Sequence, residues 1–202
     1  MVTETGKVYD FEVSLRGVEA RVWRSIQVPG DFSFWDLHIA LQDAMGWEDY
    51  HLHEFEIINP ATGHTVRIGI PDEDSLDEER PTLPGWEARI SEYFTPENAA
   101  ATYTYDFGDD WIHAITLRET LDREPRTAYP RCTGGAKACP PEDCGGPWGY
   151  QDFLEAINDP AHEEHVRMLE WIGGSFDPEA FEPGDVSFDD PAERWRLAFQ
   201  DQ

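Results

Sequence analysis

Every thiol of the chain lies in one stretch, YPRCTGGAKACPPEDCGGPWGY at 129–150, which carries Cys132, Cys139 and Cys144. Clustered cysteines in a chain without a secretory leader point to a reducing compartment, where they bind metal more often than they pair. Zinc is the expected ion. A structural site takes four ligands in a tetrahedron, so three thiolates leave one position for a histidine, a carboxylate or water. His162, His165, His113 and the pair His51 and His53 are the candidates, and His165, in the segment HEEH, is the expected fourth ligand. The spacings of six and four residues are not those of the common finger patterns. A disulfide with one spare thiol, three thiols packed as small apolar groups, or a reversible thiol sensor are the alternatives. If one coordination position stays open to water, Glu142, Asp143 or Glu163 is placed to act as base in a metal-dependent hydrolase, a nuclease among the alternatives.

Other side chains invite metal readings that local structure explains as well. His51 and His53 are two apart, so on a strand they share a face, as a metal pair or as two hydrogen-bonded histidines. His113 shares a strand face with Trp111 and Ile115 and reads as a core residue. His38 lies off the apolar stripe of its helix and is expected on the surface. Asp106, Asp109 and Asp110 resemble a magnesium cluster, but Asp and Gly are what a tight turn at Gly108 requires, and turn chemistry is the expectation.

The elements that must position these groups begin with strands. Tyr9, Phe11, Val13 and Leu15 alternate with polar residues, and Arg21 to Val28 follows as a partner strand. Ser33 and Asp36 form a capping-box pattern that opens a helix carrying Phe34, Leu37, Leu41, Ala44 and Met45, ended by Gly46. A second hairpin spans Phe55 to Ile70, and a third joins 101–107 to 111–117. The run 71–84, PDEDSLDEERPTLP, reads as an exposed acidic loop. Glycines and prolines in the Cys-rich stretch are expected to exclude regular structure there. Helices are expected over 150–158 and 162–172, placing His162 and His165 on one face toward the cysteines, and again in a C-terminal tail at 185–202. Strands first and helices last give an α+β fold: antiparallel hairpins in a sheet, packed by an early helix, with C-terminal helices following the Cys-rich loop, in a single domain over 1–202.

Charge is the extreme feature of the composition. Asp and Glu number 42 against 15 Lys and Arg, a formal net charge of -27. Such a surface repels phosphate backbones, so direct nucleic-acid binding is disfavoured. Arg16, Arg21 and Arg24 are read as solvated residues flanking strands. No run of eighteen apolar residues and no basic-apolar leader is present, which implies a soluble cytoplasmic protein without a membrane span.

The segments VWRSIQVPGDFSFWDLHIALQDAMGW, HLHEF, YDFGDDWIH, the Cys-rich stretch, and DPAHEEH through LEWIGGSFDPEAF together resemble the plasmid pRiA4b ORF-3-like family, over roughly Val8 to Phe181. That resemblance implies an α+β domain found on plasmids, chromosomes and insertion elements; it carries over no catalytic residues. The expected function is a non-enzymatic binding or adaptor module for a protein partner, held by a zinc or thiol site.

Overall fold

The computed structural model describes residues 6–71 and 81–200. Its centre is an open eight-stranded sheet in the order β5-β4-β3-β6-β7-β1-β2-β8. The strands are β1 Lys7–Leu15, β2 Trp23–Pro29, β3 His53–Ile58, β4 Thr65–Gly69, β5 Thr82–Pro84, β6 Ala100–Tyr105, β7 Trp111–Asp122 and β8 Arg131–Ala136. Every neighbouring pair is antiparallel except β4 and β5. This is the α+β architecture expected from the alternating patterns, and the hairpins β1-β2, β3-β4 and β6-β7 fall where the turns placed them.

Helix α1, Phe34–Met45, lies against β2 and β4. Its start is a reciprocal cap: the Ser33 hydroxyl accepts from the Asp36 amide at 3.2 Å, and the Asp36 carboxylate accepts from the Ser33 amide at 2.7 Å. Gly46 ends it in the left-handed region, φ 83°, where a side chain would be strained. The helix is buried over nearly its whole circumference, because Phe34 packs edge-on to Phe55 and Tyr93 on one side while the C-terminal segment covers the other. A short helix α2, Ile90–Tyr93, follows, then α3 Gly146–Asn158, α4 His165–Trp171, a 3-10 turn at Pro183–Asp185 and α5 Pro191–Phe199. Helix α5 packs back on α1 through Trp195 and Phe199, both within 5.5 Å of the Trp35 ring. Trp35 also donates its indole N–H to the Pro191 carbonyl at 3.1 Å.

Several expectations are corrected. The Cys-rich stretch does contain regular structure. Residues 131–136 pair with β2, because the ladder needs only backbone and the absent Cβ of Gly135 leaves room for the Phe181 ring. Arg24 is not solvated but 2 % exposed, its guanidinium donating to the carbonyls of Ala44 (2.8 Å), Trp23 (2.9 Å) and Ala136 (3.0 Å) above the Phe181 ring. The acidic run at 71–84 lies mostly outside the described residues, but its end, 82–84, forms β5 rather than loop. Among the described residues no helix is long and apolar enough to cross a membrane.

Candidate functional site

The deepest cluster of polar side chains surrounds two histidines. His38, on α1, is fully buried rather than on the surface, and its ring stacks on that of His53, the first residue of β3, with centroids 3.4 Å apart and planes 11° from parallel. Burial is possible because both ring nitrogens of His38 are used: Nδ1 meets the Tyr103 hydroxyl and Nε2 the Asp49 carboxylate, each at 2.8 Å. Gln42, one helical turn beyond His38, donates its side-chain amide to the same Tyr103 oxygen at 2.8 Å. Asp49 is held from outside by Arg194 of α5 at 3.3 Å, which also pairs with Asp189 at 3.0 Å. Two polar atoms in this cluster, His53 Nδ1 and Gln42 Oε1, are buried without a hydrogen-bond partner. Burial, and after it the neighbouring His38, hold His53 well below the usual histidine range, so its ring nitrogens do not carry a charge at neutral pH.

The residues singled out for metal binding lie elsewhere. Cys132 is on β8, Cys139 in the loop beyond it, and Cys144 just before α3; all three are half-buried free thiols. Burial raises all three, Cys144 to about 12, with the Arg24 charge working against the shift at Cys139 and Cys132. His165 points its Nδ1 at the Ala156 carbonyl of α3, 2.8 Å away. His162 precedes α4 instead of sharing its face, and its Nδ1 accepts from the Glu164 amide at 3.1 Å. Among the described residues, the sets of three metal-ligating side chains whose donor atoms lie within 4.8 Å of one another are His38, Asp49, His53 and His51, Asp106, Asp143, neither of which includes a cysteine.

Hydrogen bonds tie the loop between Cys139 and Gly146 to the sheet. The Trp47 indole donates to the Pro140 carbonyl at 2.9 Å, the Glu48 amide to the Glu142 carboxylate at 2.8 Å, and the Tyr105 hydroxyl to Glu142 as well. His51 meets Asp143 at 2.9 Å, and the Gly145 amide donates to Asp109 at 3.0 Å. Gly146, at φ 69°, has its α-carbon so close to the Asp109 carbonyl that a Cβ would collide with it. Glu142 and Asp143, considered above as bases, are thus structural acceptors. Asp106 caps its own turn, accepting from the amides of Gly108 (2.9 Å) and Asp109 (3.3 Å), which is the turn chemistry expected there.

The loop leads into a groove of about 580 Å³ between α3 and α4. Its apolar lining is Phe153, Ala156, Met168 and Trp171, with the Phe153 and Trp171 rings edge to face at 5.6 Å. Asp143, Asp152, Glu155 and Glu164 also line it, against a single cation, Arg167, which is paired with Glu164. Trp148 at the start of α3 is 82 % exposed and Val166 on α4 is 65 % exposed.

Sequence reasoning missed Asp49, Gln42, Tyr103 and Arg194 altogether. One signal was available: His38 and Gln42 stand four apart on α1 amid its apolar residues, which places two polar side chains on one face.

Comparison with known proteins agrees with the architecture. A 39 % identical relative, described as uncharacterized protein y4hQ of Sinorhizobium fredii, aligns over 195 residues, 93 % of this chain and 94 % of that one. The crystal structure of a protein of unknown function, MM3350 of Methanosarcina mazei Go1, superposes with a TM-score of 0.84 at 47 % identity, covering 91 % of this chain and 99 % of the other. The family described as plasmid pRiA4b ORF-3-like protein matches residues 7–185, and with fold, motifs and relatives in agreement the chain belongs to that family.

Proposed function

We propose that the protein is a non-enzymatic docking module whose groove between α3 and α4 takes a basic, apolar-bearing peptide segment of a protein partner. The observation that carries this reading is the composition of the groove: an aromatic and aliphatic floor bounded by four carboxylates and one already paired arginine. Lysine and arginine side chains suit such a site, because their aliphatic stems lie on Phe153, Met168 and Trp171 while their charges meet Asp152 and Glu155. The net charge of -27 draws a cationic segment in from a distance, and the groove supplies the selectivity that long-range attraction lacks.

The test is calorimetric titration with a synthetic peptide of alternating lysine and leucine, and with its glutamate counterpart. The lysine peptide binds, the glutamate peptide does not, and added salt weakens the complex. Combining Asp152→Asn with Glu155→Gln lowers affinity about tenfold, roughly two exposed ion pairs' worth. Replacing Glu56 and Glu119, exposed carboxylates on the sheet, with glutamine has little effect. Equal losses from the two pairs of substitutions would mean that the peptide coats the acidic surface at large, and the docking reading falls.

A further inference from the structure

We infer that His38, Asp49 and His53 form a binding site for a divalent transition metal, of the kind that takes two imidazoles and one carboxylate, with zinc the expected occupant. The donor atoms already lie within 4.8 Å of one another. An ion bound at about 2.0–2.2 Å from nitrogen and oxygen needs donor separations of little more than 3 Å, and the 2.8 Å between His38 Nε2 and Asp49 is close to that.

A buried orphan supports the assignment. A polar atom buried without a partner is costly, and His53 Nδ1, on one of the three ligating side chains, stands unpartnered in this cluster. The hydrogen-bond chain around His38 can adjust to an ion. With the His38 hydrogen on Nε2, Gln42 donates to the Tyr103 oxygen, the Tyr103 hydroxyl donates to His38 Nδ1, and His38 donates from Nε2 to Asp49. A metal at Nε2 requires the imidazole hydrogen to sit on Nδ1. The chain then reverses: His38 Nδ1 donates to the Tyr103 oxygen, and the hydroxyl turns to Gln42, whose amide flips to present Oε1. One hydrogen changes nitrogen and none is lost; the flip leaves the Gln42 amide nitrogen where its oxygen stood, so the rearrangement accommodates the ion without adding a hydrogen bond.

The charge balance favours a dication. Asp43, Asp49 and Asp189 gather around Arg194, which leaves the cluster two negative charges in excess if all three carboxylates are ionised. Imidazoles bind metals in the plane of the ring, so the ion cannot enter the present stack unchanged. Binding turns one ring out of its parallel arrangement, and the donors then converge.

The experiment uses untagged protein stripped with chelator and titrated with zinc, then with cobalt as a spectroscopic substitute. One equivalent binds, and the cobalt complex shows visible d-d absorption without the near-ultraviolet charge-transfer band of a thiolate ligand. His53→Ala weakens binding at least a hundredfold and Tyr103→Phe about tenfold, as removal of a ligand and of a group orienting one should. Cys139→Ser leaves it unchanged. Because His53→Ala leaves a cavity in the core, His53→Gln is measured beside it, with circular dichroism confirming the fold. A thiolate band in the unaltered protein, loss of binding in Cys139→Ser, wild-type affinity in a folded His53 variant, or no binding to the unaltered protein each overturns the assignment.

Discussion

The histidine cluster and the cysteine loop are both dense in atoms that ligate metals, yet the fold treats them in opposite ways. Around His38 the donors converge because α1 and β3 are pressed together in the core, and a polar side chain buried there must find partners across the interface. In the loop the backbone is claimed first. β8 fixes Cys132 in a ladder, α3 begins directly after Cys144, and Trp47, Glu48, Tyr105 and Asp109 anchor the turn between them. Proximity in sequence gathered the thiols on paper, whereas packing gathered the imidazoles in space. Clustering along a chain therefore does not by itself say which donor atoms the fold brings together.

Three measurements sharpen this contrast. The largest effect is expected from Phe34→Ala. The ring is fully buried against Phe55 and Tyr93 at the base of the same helix, so its loss costs about 4 kcal/mol in urea denaturation, with both regions unfolding in one transition. A separate transition for the loop would break the comparison by showing it to be an independent unit.

Acid comes next. His113 is buried and lowered to about 4, mainly by desolvation, whereas in the unfolded chain it titrates near 6.5. The unfolded state therefore binds the proton first. Stability from this group is complete above about pH 6.5 and is lost as pH falls toward 4, by about 3 kcal/mol if the difference is fully expressed. His53 acts in the same direction. Asp43 has the opposite sign: its raised value favours the folded state at low pH, and that contribution fades as pH rises from about 4 to 6. Denaturation at pH 7, 5 and 4 should show a net fall on acidification; a flat profile would mean the buried histidines do not govern the core.

The smallest effect belongs to Trp47→Phe, which removes the hydrogen bond to Pro140 but keeps a ring on Tyr105. Global stability falls by about 1 kcal/mol, while amide exchange speeds up selectively over 139–146. Uniform protection changes would mean the loop is anchored some other way.

What could be read from the sequence follows the range of the interactions involved. The capping box of α1, its glycine stop and the β6-β7 hairpin depend on residues a few positions apart, and they appear as expected. Arg24 and His38 were misplaced because their partners are remote: Ala136 lies 112 residues from Arg24, and Tyr103 lies 65 from His38. Glycine in the Cys-rich stretch misled for a related reason. A lone segment rich in glycine has little tendency to be a strand, but β2 supplies the ladder and the Phe181 ring occupies the space that a side chain at Gly135 would have filled. The groove was invisible because no periodicity reveals which face of α3 meets α4.

The family match ends at residue 185, but α5 begins at Pro191 and carries the rings that rest on Trp35 and Trp86, together with the guanidinium that holds Asp49. The cover over Trp35, whose ring borders both imidazoles, is thus built from a part of the chain beyond that match. Removing α5 would therefore uncover Trp35 and release Asp49 from Arg194 while leaving the sheet beneath untouched.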